Sequence, residues 1–151
     1  MKSILFLLLL IACGGESSPP TFFILNMNEM SFEEQSQINN AVSLINDAAG
    51  RRVFSSSGTP ITIKRGTLID RNLAPENMEI NPCTIIIDPN SDVIRSDIRL
   101  VQYVFAHQVG RCRRFPNSFN INDVMFPSFN GIYSRDIELR LREFARKLAN
   151  F

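Results

Sequence analysis

Apolar and polar positions change rhythm several times along this chain, and each rhythm predicts an element. Ser31-Phe32-Glu33-Glu34 places a hydroxyl and a carboxylate three residues apart, so that each can satisfy the other's backbone N–H at a helix start. Ile38, Ala41, Val42, Ile45 and Ala49 follow at helical spacing, and Gly50 supplies a left-handed stop. Ile61-Thr62-Ile63-Lys64 alternates as a half-buried strand should, and Thr84-Ile85-Ile86-Ile87 is β-branched throughout and closed by Asp88-Pro89-Asn90. Phe22 to Leu25 and Arg52-Val53-Phe54 are shorter apolar runs that read as strands, Ser55 to Pro60 as a turn, and Asp70 to Pro82 as a loop. Ser96-Asp97 opens a second helix, with Leu100, Val104, His107 and Arg111 on one stripe and Val101, Phe105 and Cys112 on the next. That helix must end before Pro116. Asn117 to Asn130 reads as a loop, and Ser134 caps a last helix whose buried face is Ile137, Leu141, Phe144 and Leu148. The order predicts one mixed domain, α+β or α/β, without internal repeats.

The first residues obey a different logic. Met1 to Ala12 is one Lys followed by an apolar run and a small residue, the pattern of an export signal, too short to span a bilayer as a mature helix. Leu10-Ile11-Ala12-Cys13 resembles a bacterial lipobox, in which the Cys is lipidated and becomes the mature N-terminus. Gly14 to Pro20 is small and flexible, as a tether between anchor and domain needs to be. The chain therefore divides into a signal peptide (1–12), a tether (13–20) and a domain (21–151). The expected location is the cell envelope, held by an N-terminal lipid.

Composition changes the picture little. Of 151 residues, 44% are hydrophobic and 21% charged, which excludes a disordered tail and a multi-span membrane protein. A net charge of +1 argues against a nucleic-acid partner. The charge is unevenly placed: residues 16–50 carry five acids and no base, and 111–151 carry eight bases and four acids. Solvated helices account for this better than two faces of opposite sign. Apart from Cys13, the cysteines are Cys83 and Cys112, for which export permits a disulfide without requiring one. If the second helix runs back along the Cys83 strand, both lie at the same end of the layer. Asp88, Asp92 and Asp97 lack the spacing of a calcium loop and read as turn and cap carboxylates. Arg111, Arg113 and Arg114 could grip a phosphate or carboxylate, but a basic helix C-terminus favoured by the dipole explains them better. Cys112 and His107, five apart on one helix, point in different directions and make a poor catalytic pair.

Residues 104–129, VFAHQVGRCRRFPNSFNINDVMFPSF, carry the most specific signal. Zinc endopeptidases of the metzincin clan place H-E-x-x-H-x-x-G-x-x-H on a helix and a following bend, with a Met-turn downstream. Overlaid without a gap, this segment resembles the matrixin branch of that clan: His107 falls on the first ligand, and Asp123 to Phe129 resembles the Met-turn, with Met125 as its methionine. The resemblance implies a metzincin-like α+β fold: a long helix, a twisted mostly parallel sheet, the zinc helix, the Met-turn and a C-terminal helix, in that order.

The same overlay implies that the zinc chemistry is lost. Gln108 stands at the general-base position, Arg111 at the second ligand, Arg114 at the turn glycine and Asn117 at the third ligand. A lone His cannot make a three-His site, and Gln cannot cycle a proton as a carboxylate does. His107 then reads as a hydrogen-bonded core histidine, and no cofactor is expected. The expected function is a non-catalytic module, taking an extended peptide or an envelope protein in a groove between an upper part (21–110) and a lower part (111–151). A metallopeptidase with an unusual ligand set and a structural envelope lipoprotein are the other readings; zinc belongs only to the former.

Overall fold

In the computed structural model, residues 21–66, 83–126 and 134–150 are described. Cys13, the signal and tether segments, the 70–82 loop and the Pro127–Phe129 end of the Met-turn-like motif lie outside or largely outside them. The elements run β1 (Phe22–Asn26), α1 (Phe32–Ala49), β2 (Thr59–Arg65), β3 (Cys83–Ile87), α2 (Asp92–Ser96), α3 (Leu100–Cys112), a 3-10 turn (Ser134–Asp136) and α4 (Ile137–Ala149). The architecture is α+β, with a three-stranded sheet in the order β1-β2-β3.

Both strand pairs are parallel, Ile24 facing Ile61 and Ile63 facing Ile85. A parallel pair needs a long crossover, and α1 supplies it between β1 and β2. Phe22, Ile61, Ile63, Cys83, Ile85 and Ile87 alternate inward onto a common buried face. Ile38, Ala41 and Ile45 of α1, most of α3, and Ile137, Leu141, Phe144 and Leu148 of α4 complete that core. α1 packs on α3 and α4, and α3 also packs on β3.

Local sequence explains the ends of α1. The Ser31 hydroxyl accepts from Glu34 N–H, and the Glu34 carboxylate accepts from Ser31 N–H at 2.6 Å. Gly50 closes the helix at φ 65°. Glu34 is itself buried and paired with Arg65 at 3.0 Å, tying α1 to the end of β2.

The structure differs from the sequence expectation at four places. Arg52-Val53-Phe54 makes a single bridge, Phe22 to Phe54, rather than a strand, and β2 begins at Thr59 inside the expected turn. Ser96-Asp97 does not open the long helix. Ser91 caps the short α2, whose last residue is Ser96, and α3 starts at Leu100. The reason is local: Asp97 is extended (φ −159°), and its carboxylate accepts from Arg99 N–H at 2.9 Å, turning the chain between the helices. Ser134 does not cap α4 directly, because the 3-10 turn intervenes and α4 begins at Ile137.

Candidate functional site

α3 is buried on most of its circumference, held between α1, α4 and β3, so its few polar side chains must find partners inside the fold. His107 does so through Nδ1, which lies 2.7 Å from the Val124 carbonyl oxygen. A carbonyl only accepts, so Nδ1 carries the proton of the neutral ring and Nε2 is the acceptor nitrogen. Burial pushes the His107 pKa below its ordinary value; the Val124 carbonyl and Asp123 oppose this, while Arg111 adds to it.

One turn earlier, Tyr103 donates its hydroxyl to the Asp123 carbonyl at 3.0 Å, and burial pushes its pKa up to about 12. Tyr103 and His107 are four residues apart, so one face of α3 grips two successive carbonyls of the loop that follows it. The sequence reading missed this pair, although the i, i+4 placement of two polar aromatic rings was its signal. Asp123 adds a third link. Burial would raise its carboxyl, but Lys147, the Met125 N–H and Ser118 hold it below the usual carboxylate range.

Gln108, at the expected general-base position, is engaged in holding a strand. Its Nε2 donates to the Ile86 carbonyl at 2.5 Å, and its Oε1 accepts from Ile86 N–H at 2.8 Å. Both polar atoms of the side chain thus serve the backbone of β3. Cys112, one turn further along α3, is joined to Cys83 at the start of β3 by a disulfide, with Cα atoms 5.7 Å apart. α3 runs back along β3, which brings the two cysteines to the same end.

The expected second and third ligand positions meet each other: an Arg111 guanidinium nitrogen donates to Asn117 Oδ1. Met125 is buried beneath α3 against Gly110, where an added Cβ would come within 2.2 Å of its sulfur. Arg114, at the expected turn glycine, has φ 58° and is the one non-glycine residue with positive φ among the described residues. Arg114 N–H donates to the Arg111 carbonyl at 2.8 Å, and Phe115 N–H to the Gly110 carbonyl at 2.9 Å. This is the hydrogen-bond pair that ends a helix around a left-handed residue, usually glycine.

Other candidates disperse. Arg113 lies over the Phe22 ring at 5.9 Å, away from the Arg111–Asn117 contact. Asp88 accepts from Asn90 N–H, Asp92 stands in the first turn of α2, and Asp97 pairs with Arg99. Among the described residues no group of three His, Cys, Asp or Glu side chains could hold a metal ion. The donors at positions 107, 111 and 117 fit zinc poorly, because one is a permanent cation and another is bonded to it. No helix among the described residues is long and apolar enough to cross a membrane.

A cleft of about 470 Å³ opens between Phe115–Ser118, Asp123 and Met125 on one side and Lys147 and Asn150 at the end of α4 on the other. It lies within the lower part of the domain rather than between the two parts the sequence suggested. Phe115, Pro116 and Met125 give it an apolar lining that can bury a side chain, while the two charged residues of its wall, Asp123 and Lys147, are paired with each other. Compared with known protein families, with characterised proteins and with solved structures, the chain gives no significant match.

Proposed function

We propose that this chain is an exported, lipid-anchored module whose matrixin-like domain has lost zinc and hydrolysis and retains a groove for an extended peptide or an envelope protein. Arg114 is the observation that carries the reading. A bulky cationic residue keeps a left-handed conformation at the position where the family's motif has its glycine, at an intrinsic penalty of ~1–2 kcal/mol. A helix evolving freely has no reason to hold an arginine there. A chain that inherited the bend and lost its glycine does. The contact of Met125 with Gly110, and the His107 bond to Val124, support the reading, since they bring the residues of the Met-turn-like motif against the helix that carries His107.

The same residues explain why hydrolysis is lost on this reading. Gln108 is bonded through both polar atoms, and Arg111 puts a positive charge where a second ligand would stand. Peptide recognition is assigned to the cleft beside Met125, because the Ile86 backbone groups already have partners in Gln108.

The test leaves Gln108 in place. Arg111→His with Asn117→His adds two imidazoles to His107 and should create a site for one Zn²⁺ per chain, read by calorimetry and by the visible spectrum of the Co²⁺ form. A folded double variant that binds neither ion would refute the matrixin-like geometry.

A further inference from the structure

Among the described residues, two phenylalanines are almost wholly exposed, Phe32 and Phe119. Phe32 stands in the acidic stretch of the chain beside Glu33, and Phe119 in the basic one, with Ile121, also 50% exposed, two residues on. The loop that carries Phe119 and Ile121 is built rather than loose. Ser118 N–H donates to the Met125 carbonyl at 3.0 Å and closes it. Inside, Asn120 N–H donates to Ser118 Oγ, Asn122 N–H to Asn120 Oδ1, Asp123 N–H to the Asn120 carbonyl and Met125 N–H to Asp123 Oδ1. The base of the loop is bolted to the core by Tyr103, His107 and the Arg140 bond to the Ile121 carbonyl. With five of its backbone N–H groups bonded within the loop, those of Ser118, Asn120, Asn122, Asp123 and Met125, the segment loses less on leaving water than an open loop would, and its two apolar side chains gain.

The charges beside it favour one kind of surface. Arg111 bonds the neutral Asn117, Arg114 is exposed at the adjoining turn, and among the described residues neither pairs with a carboxylate. Residues 111–151 carry eight bases against four acids. We propose that the 118–125 loop is a membrane-contact element that seats Phe119 and Ile121 at the headgroup–acyl boundary of an anionic bilayer, with Arg111 and Arg114 at the level of the lipid phosphates. Basic residues flanking inserted apolar side chains are what such a surface selects.

The placement of the chain's entry agrees, and this clause alone rests on the anchor reading above. A tether of residues 13–20 reaches at most ~29 Å. It joins the domain near Phe22, whose ring lies under Arg113 at the C-terminal end of α3, where the 115–125 segment begins.

The chain has no Trp, so Phe119→Trp places a single reporter at the loop tip, and Phe32→Trp places one at a comparably exposed acidic site. Both are made in the full chain carrying Cys13→Ser, so that no lipid is attached. On phosphatidylcholine vesicles with about 30% phosphatidylglycerol, Phe119→Trp emission should shift to the blue and be quenched by brominated acyl chains. Pure phosphatidylcholine, or about 0.5 M salt, should abolish the shift. Phe32→Trp emission should not move. Phe119→Ser with Ile121→Ser, at sites outside the core, should lower vesicle partitioning at least about tenfold. A Phe119→Trp spectrum unchanged on anionic vesicles overturns the proposal, even if the chain binds them through its N-terminal segment, an outcome that leaves the anchor reading standing. A shift that depends on protein concentration without lipid also overturns it, because it marks a contact between copies.

Discussion

Replacing Gln108 by Glu puts a carboxylate where the metzincin motif has one and should damage the fold. In the structure the Gln108 amide gives one hydrogen bond to the Ile86 carbonyl at 2.5 Å and accepts one from Ile86 N–H at 2.8 Å. An ionised Glu keeps the second and loses the first, leaving the Ile86 carbonyl facing an anionic oxygen. An unmade hydrogen bond at a half-buried carbonyl costs ~1–3 kcal/mol, and the repulsion adds to it, so Gln108→Glu should cost about 2–4 kcal/mol at pH 7. Gln108→Ala, which removes both bonds without adding charge, should cost about 1–3 kcal/mol independently of pH. The sign with pH follows from linkage. The folded state prefers the neutral carboxyl, which can donate to Ile86, so the introduced group has a folded pKa above its unfolded value of about 4.3. Its stability is full below that value and is lost as pH rises through the folded pKa. Urea unfolding followed by far-ultraviolet circular dichroism reads this directly. With a slope of ~1–3 kcal/mol per molar, the pH 7 midpoint should fall by roughly 1–3 M, and most of the loss should return at about pH 4. A Gln108→Glu midpoint equal to wild type at pH 7 would refute the strand-holding role of Gln108.

Arg114→Gly should stabilise the protein by about 0.5–1 kcal/mol, since relief of the left-handed penalty exceeds the entropy that Gly gains in the unfolded chain; an unchanged or lower urea midpoint would contradict this. Removing the Cys83–Cys112 disulfide, which closes a separation of 29 residues, should cost about 3–4 kcal/mol, seen as a drop in urea midpoint on reduction. His107 should appear by nitrogen-15 NMR as the Nδ1–H tautomer. Because its folded pKa is depressed, its contribution to stability is present above the unfolded value near ~6.5 and is lost as pH falls through the folded pKa; an imidazole that titrates like a free one would count against its burial.

Elements with a strong local signal were legible in the sequence. The capping box at Ser31, the α1 stripe ending at Gly50 and the alternation of Ile61 and Ile63 depend on neighbours within a few residues, and the structure has them. The start of α3 was misplaced because Ser96 and Asp97 carry the composition of a helix cap. Asp97 instead bonds Arg99 in a turn, a choice that local composition does not decide. The site was legible only as positions. The resemblance to the metzincin motif singles out positions 107, 108, 111 and 117; that Gln108 reaches the Ile86 backbone cannot be read there, because the two are distant in sequence and meet only once α3 is laid along β3. Arg114 makes the same point. Composition argues against a left-handed residue at an arginine, yet Arg114 has φ 58°, and the Arg114 and Phe115 N–H groups close the helix end on the Arg111 and Gly110 carbonyls.

Metal content and peptidase activity, read on one preparation, decide whether the proposed matrixin-like domain lacks zinc catalysis. Full-length protein, purified without chelator and then exposed to one equivalent of Zn²⁺, is analysed by atomic emission after desalting and assayed on unfolded protein substrates. Far less than one Zn²⁺ per chain and no hydrolysis are expected, because among the described residues no second or third ligand stands with His107, and Gln108 is bonded to β3. One tightly held Zn²⁺ per chain, with hydrolysis that a chelator abolishes and zinc restores, would contradict that expectation.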